Sequence, residues 1–265
     1  MSESLLDTVR ERTPLVHCVT NLVATTFSAN ALLAVGASPA MVEDAEEAAE
    51  LAAVAGALVV NTGTMSRPRA EGMHAAAGAA RDAGTPWLLD PVGVGPLSLR
   101  TRVASELLGL GPTVVRGNAS EILALAGHEG GGRGVDATAS VEAAADAADE
   151  LARTHGTVVA VSGVVDRVTD GATVHRVGGG HPLMGRVTAM GCALGAVTAA
   201  FLAVGDDVLA ATLAAHAVVG ATGAAAGAVA RGPGSFVPAW LDELALFDGA
   251  GGADGAAAQA LVDPA

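Results

Sequence analysis

Thr113-Val-Val-Arg-Gly-Asn-Ala-Ser-Glu-Ile122 starts as a β-rich run and ends as the opening of a helix. Val114 and Val115 favour a pleated strand. Asn118 with Glu121 three residues later is the pattern of a capping box. A strand that passes the chain directly to a helix is the repeating unit of a parallel sheet. Outward from this stretch the same unit recurs. Short apolar runs at Leu15–Val19, Ser38–Val42, Ala57–Asn61, Trp87–Leu89, Thr113–Arg116 and Thr157–Ser162 read as strands, with Ala-rich helices near 22–34, 45–55, 67–83, 99–108, 119–126 and 140–154. Arg167–Thr169 and Thr173–Val177 turn through Asp170-Gly171, a hairpin signal. After Arg186 the strand signals stop, and two long small-residue helices at 190–204 and 208–230 precede the Trp240 region. The alternation predicts an α/β fold: a mostly parallel central sheet with helices on both faces. One domain covers 1–265, with 246–265 expected as a loosely ordered tail. Ligands in such sheets bind beyond the carboxyl ends of the strands.

Composition narrows the chemistry. All 14 basic residues in the Lys+Arg total are arginines, and the chain has no lysine. A Walker P-loop and a Schiff-base mechanism both need that amine, so both are excluded. A net charge of −14 makes nucleic acid a poor partner. Cys18 and Cys192 form no disulfide framework and no zinc spacing, which points to a reducing cytoplasm. The N-terminal residues lack the basic-then-apolar order of a secretion signal. Val208 to Ala230 carries no charged side chain, but its Ala and Gly content reads as a buried or oligomer-packed helix rather than a membrane span. Two low-complexity patches, Glu129–Gly134 and Asp248–Ala258, read as flexible on composition.

The strand ends carry polar or glycine residues almost without exception: His17 to Asn21, Met41 to Asp44, Asn61 to Thr64, Asp90 to Gly93, Arg116 to Glu121, and Ser162-Gly163. Arg116, closing a β-run, is placed to bind an anion. Asn118 and Glu121 fit ordinary capping equally well as a place for Glu121 beside a hydrated magnesium ion, with Asp90 as partner. Thr188-Ala-Met-Gly-Cys192 opens a helix whose free N–H groups suit a phosphate. The same position lowers a thiol's pKa, which leaves two readings of Cys192 open: a thiolate or proton acceptor, and a small buried apolar cysteine. The seven histidines show no metal-ligand spacing. Gly93-x-Gly95 is no dinucleotide fingerprint, and no G-x-S-x-G elbow is present.

Taken in order, VHCVTN (Val16–Asn21), SPAM (Ser38–Met41), NTGT (Asn61–Thr64), LLDPVGVG (Leu88–Gly95), VVRGNASEI (Val114–Ile122), VSGVVD (Val161–Asp166) and TAMGCALGA (Thr188–Ala196) resemble the hydroxyethylthiazole kinase family of the ribokinase-like superfamily. The likeness runs from about Leu15 to about Leu246. It implies transfer of the ATP γ-phosphate to the alcohol of 4-methyl-5-(2-hydroxyethyl)thiazole in thiamine salvage. By motif, the resemblance implies that Met41 and Ala189 line the thiazole pocket and that Arg116 and Ser162 bind ATP. It likewise assigns Asp90 and Glu121 to Mg²⁺, and Cys192 to the phosphoryl-transfer point. It also implies a homotrimer, which small-residue helices would suit. Three positions depart from relatives: superfamily kinases usually carry aspartate where Cys192 stands, some family members read Thr-Gly-Thr-Gly-Cys at 188–192, and serine replaces the commoner threonine at 162. Two alternatives stay open: another ribokinase-like ATP-dependent enzyme, such as a pyrimidine-alcohol kinase or a hydrate dehydratase, and a nucleotide- or metabolite-binding protein without turnover.

Overall fold

The computed structural model describes residues 4–128, 140–248 and 262–264. Glu129–Gly134, and Asp248–Ala258 apart from Asp248, lie outside those residues, as does most of the 246–265 tail. Eight of the nine strands fall where the sequence places one: β1 (Leu15–Val19), β2 (Ser38–Ala40), β3 (Ala57–Asn61), β4 (Trp87–Asp90), β5 (Val114–Asn118), β6 (Val158–Ser162), β7 (Asp166–Thr169) and β8 (Val174–Val177). The ninth, β9 (Val262–Pro264), pairs antiparallel with β8. The order is β2-β1-β3-β4-β5-β6-β7-β8-β9, parallel from β2 to β6 and antiparallel beyond.

The helices are α1 (Leu5–Arg12), α2 (Thr25–Val35), α3 (Ala45–Ala52), α4 (Arg67–Ala83), α5 (Ser98–Leu108), α6 (Ala119–Leu125), α7 (Ala145–His155), α8 (Met190–Leu202), α9 (Val208–Val229) and α10 (Pro233–Leu246). Two starts differ from expectation for local reasons. The helix after β1 begins at Thr25 rather than 22, because Asn21 Oδ1 accepts the Val23 and Ala24 N–H groups in a turn. The helix expected at 140–154 opens as a 3₁₀ turn over Glu142–Ala144 before α7. The sequence reading gave no element to α1.

Side chains on successive strand positions enter two separate cores, as the period of two requires. Val16, Cys18, Ala57, Val59, Leu88, Val114, Val158 and Ala160 join one core with α1, α2, α8, α9 and α10. Val19, Leu58, Val60, Trp87, Leu89, Val115, Val159 and Val161 join the other with α3 to α7. Both sheet faces are therefore apolar and covered, and polar chemistry is confined to the strand ends. The same parity puts Asn61, Asp90, Arg116 and Ser162 on the face that α8 covers.

α9 is long and apolar enough to cross a bilayer, with half of its most apolar window buried inside the chain. Its glycines serve the interior of the chain. Gly220, Gly223 and Gly227 share one helix face, and a Cβ on each would strike Gly178, Met184 and His181 of the loop that leads into α8. The small residues of α9, expected to suit packing between subunits, here seat that loop.

Close approach also fixes α4 against the start of α3. A Cβ at Gly72 would collide with the Glu43 carbonyl, whereas Gly78 of the same helix faces open space. Gly72→Ala is expected to lower unfolding free energy by about 1–3 kcal/mol through overpacking. Gly78→Ala is expected to raise it by roughly 0.5–1 kcal/mol through helix propensity. Paired urea titrations check both, and two changes of the same sign would contradict the packing described.

Candidate active site

Each of the six adjacent parallel strands delivers a polar or sequence-predicted residue to the carboxyl rim. In spatial order these are Met41 just past β2, Asn21 past β1, Asn61 on β3, Asp90 on β4, Arg116 on β5 and Ser162 on β6. With strands about 4.8 Å apart, the row spans roughly 24 Å. α8 begins above the middle of the row and brings down Cys192.

Two asparagines, each in a strand-end motif but with no role assigned from sequence, build the centre. Asn21 Nδ2 donates to Asn61 Oδ1 at 2.9 Å and to Cys192 Sγ at 3.3 Å. Asn61 Nδ2 donates to Asp90 Oδ2 at 2.7 Å and to Cys192 Sγ at 3.3 Å. Neither amide can flip without loss: Asn21 Oδ1 accepts from Val23 and Ala24, and Asn61 Oδ1 accepts from Gly63. Gly63 is required here because a Cβ would lie 2.8 Å from Asn21. Their positions at two strand ends were the signal available in the sequence.

Burial works on Cys192 against those donors and the helix terminus. Burial, then the Asp90 charge, push its thiol up to about 11, against the opposing pull of Arg116 and the two amides. Burial is the largest of these influences and opposes the lowering that a helix start favours. Cys18, fully buried in the core, is pushed up to about 12.

Asp90 has no solvent exposure. Burial raises its carboxyl to about 7; Arg116 and Asn61 pull it down and Glu121 pushes it further up. Its Oδ1 has no hydrogen-bond partner and lies 3.7 Å from the Arg116 guanidinium, a charge contact without a hydrogen bond. Arg116 Nε donates to Ser162 Oγ at 3.0 Å, joining the two residues assigned to ATP by resemblance. Its guanidinium lies against the first turn of α8, where a Cβ on Gly191 would come within 2.7 Å of it. No side chain caps that helix. A guanidinium and a positive helix end converge there, an arrangement that favours an anion between them.

Glu121 completes the capping box: Asn118 Oδ1 accepts the Glu121 N–H at 3.0 Å, and Glu121 Oε2 accepts the Asn118 N–H at 2.9 Å. Its Oε1 accepts the Gly93 N–H at 3.0 Å and so ties the loop after Asp90 to α6. Among the described residues no cluster of three or more His, Cys, Asp or Glu could hold a metal. Asp90 with its free oxygen, and Glu121 close enough to repel it, nonetheless fit a hydrated cation that takes its remaining ligands from water and phosphate.

Met41 stands apart from this polar group. It follows the edge strand β2 and packs on the α8-side core. The loop is held by His17, whose Nε2 lies 2.8 Å from the Val42 carbonyl and donates to it; burial lowers the His17 pKa. Ala189 precedes α8 in the left-handed region, with φ of 65°. A Cβ there is strained by roughly 1–2 kcal/mol.

A pocket of about 540 Å³ opens beyond β5 and β6, between the start of α8, the middle of α9 and the loop at 178–185. Arg116, Ser162, Met190 and Gly191 line it together with Gly163, Asp166, Val177 and His216. The volume is that of a small-molecule site.

The Asp90 carboxyl yields a pH signature of stability. Its folded pKa of about 7 exceeds the ordinary value of 3.8, so the folded protein retains a proton that the unfolded chain has released between those values. Stability attributable to this group therefore falls as pH rises from about 4 to about 7. Asp90→Asn is expected to melt above wild type at pH 8, with the gain vanishing as pH approaches 4. A pH-independent difference in thermal midpoint would contradict a buried, unfavourable charge.

A profile of the hydroxyethylthiazole kinase family matches residues 6–248. A hydroxyethylthiazole kinase from Kineococcus radiotolerans is 56% identical over 239 residues, covering 90% of this chain and 86% of that relative. The solved hydroxyethylthiazole kinase structure from Pyrococcus horikoshii OT3 superposes with a TM-score of 0.81 at 43% identity, covering 91% of each chain. A Bacillus subtilis pyridoxal kinase in complex with ADP shares the fold, with a TM-score of 0.58 at 18% identity, over 78% of this chain and 90% of its own. The fold is ribokinase-like, and the chain belongs to the hydroxyethylthiazole kinase family.

Proposed function

We propose that the protein transfers the γ-phosphate of ATP to the hydroxyl of hydroxyethylthiazole, in thiamine biosynthesis or salvage. The observation that carries this reading is the ordered row across the rim. A pocket with Arg116 and Ser162 lies at one end, Met41 lies at the other, and the uncapped start of α8 with Cys192 lies between them. A nucleotide in the pocket and an alcohol beside Met41 and Ala189 would meet under α8. Family membership supports the same assignment.

Phosphoryl transfer asks mainly for positioning and for charge stabilisation. Arg116 and the first-turn amides of α8 hold the phosphate oxygens, and Ser162 fixes the Arg116 side chain. Asp90 and Glu121 are the residues that would hold Mg²⁺, which supplies positive charge to the phosphates. Cys192 Sγ stands at the transfer point as acceptor of the alcohol proton. Asn21 and Asn61 aim two N–H groups at that sulfur and favour its anionic form, and the Asp90 charge opposes it. Neutralising Asp90 therefore lowers the cost of the thiolate. The absence of lysine leaves Arg116 and the helix terminus as the phosphate-binding groups.

The assembly proposed is a cytoplasmic homotrimer, with no nucleic acid or membrane partner. Exposed Leu22, Val23 and Leu33 lie on and beside α2, next to Asn21, and a neighbouring subunit would cover them. Both cysteines are free thiols, in keeping with a reducing compartment.

Purified protein with Mg²⁺ and ATP is expected to release ADP only when hydroxyethylthiazole is added. Pyrimidine alcohols in the same panel test the neighbouring kinase chemistry, and ATP binding without ADP release from any alcohol would refute catalysis. Cys192→Ala is expected to keep both KM values near wild type while kcat falls by about 10²–10⁴-fold, the usual contribution of a general base. An unchanged kcat would make the thiol a bystander.

A further inference from the structure

His216 stands in the middle of α9 and lines the pocket beyond β6, yet the reading above gives it no part. The residue is 2% exposed. Its Nδ1 lies 2.7 Å from Asp166 Oδ2, and Asp166 Oδ1 accepts the Gly163 N–H at 2.8 Å, so the imidazole is anchored to the β6–β7 turn. Its Nε2 is buried with no hydrogen-bond partner. Buried polar atoms are nearly always satisfied, so an orphan on the wall of a pocket points to a ligand that satisfies it.

The chemistry of that partner follows from the anchor. A carboxylate only accepts, so the hydrogen between Nδ1 and Asp166 belongs to the ring. An imidazole whose single hydrogen sits on Nδ1 presents a lone pair at Nε2, which calls for a donor. Phosphate groups donate nothing at neutral pH and are served by Arg116 and the α8 terminus, which also line the pocket. What remains of a nucleoside triphosphate offers donors of two kinds, sugar hydroxyls and the exocyclic amine of the base.

We propose that His216 is a specificity-determining residue. Its Nε2 accepts a hydrogen bond from the nucleoside part of the phosphoryl donor, and Asp166 holds the tautomer that makes it an acceptor. This rests on the nucleotide occupying the pocket as proposed above. The expected cost of a missing donor is that of one buried acceptor left unpaired, roughly five- to hundredfold.

The experiment compares KM and kcat for ATP, 2′-deoxyATP, 3′-deoxyATP and inosine triphosphate, at saturating hydroxyethylthiazole, in wild type and in His216→Phe. In wild type, one of the three analogues should show KM raised roughly five- to hundredfold over ATP, with kcat little changed. A deoxy analogue identifies a sugar hydroxyl as the donor, and inosine triphosphate, which presents a carbonyl in place of the amine, identifies the base. In His216→Phe the ATP KM should rise to that analogue's value and the discrimination should collapse toward unity, with the thiazole KM unchanged. Wild type that treats all four nucleotides alike overturns the proposal without reference to any variant. A folded His216→Phe that keeps the full discrimination also overturns it. Absence of turnover with every nucleotide would instead refute the kinase reading, so the two failures are distinguishable.

Discussion

A carboxylate with no access to water sits at the centre of this rim, and the surrounding groups are organised around its charge. Asp90 is held by one amide hydrogen bond from Asn61 and by the Arg116 guanidinium, which stays 3.7 Å away. A well-satisfied buried carboxylate would have more partners. Burial raises the carboxyl, and the incomplete pairing leaves Oδ1 without a partner, which is a cost to stability and also a place for a cation. Asn61 passes the constraint on to Cys192, and Asn21 links both to the β1–α2 turn. A change at Asp90 is therefore felt at Cys192, whose thiol the Asp90 charge holds up.

Positive charge is equally concentrated. The chain is acidic overall and has no lysine, so its long-range field repels a nucleotide polyanion. Attraction must be local. Gly191 lets the Arg116 guanidinium lie against the uncapped first turn of α8, and two positive features that would repel each other are brought together. An anion between them relieves the conflict. The strain at Ala189, where the chain turns into α8 through a left-handed residue, belongs to the same construction.

Most of the sheet was legible because its strands are buried on both faces and read as continuous apolar runs bounded by turn residues. The rim followed from the same pattern: Asp90, Arg116, Glu121 and Ser162 could be picked out as polar residues ending apolar runs. Glu121 has the capping role that its spacing with Asn118 indicated. The roles of Asn21 and Asn61 were not legible, since an asparagine after a strand is ordinarily turn chemistry. Only the parallel register, which sets β1 beside β3 and Asn61 level with Asp90, reveals their bonds to one sulfur. The thiol's ionisation was not legible, because a helix terminus is visible in sequence while burial and the Asp90 charge are not. The small-residue content of α9 indicated close packing without naming its partner, and its glycines hold a loop that forms one side of the pocket.

The central claim is that the transferring phosphate rests between Arg116 and the first turn of α8. A crystal structure with a non-hydrolysable ATP analogue and Mg²⁺ tests it most directly. The terminal phosphate is expected within hydrogen-bond distance of the Gly191 or Cys192 amide and of the Arg116 guanidinium. A terminal phosphate bound away from the start of α8 would contradict it.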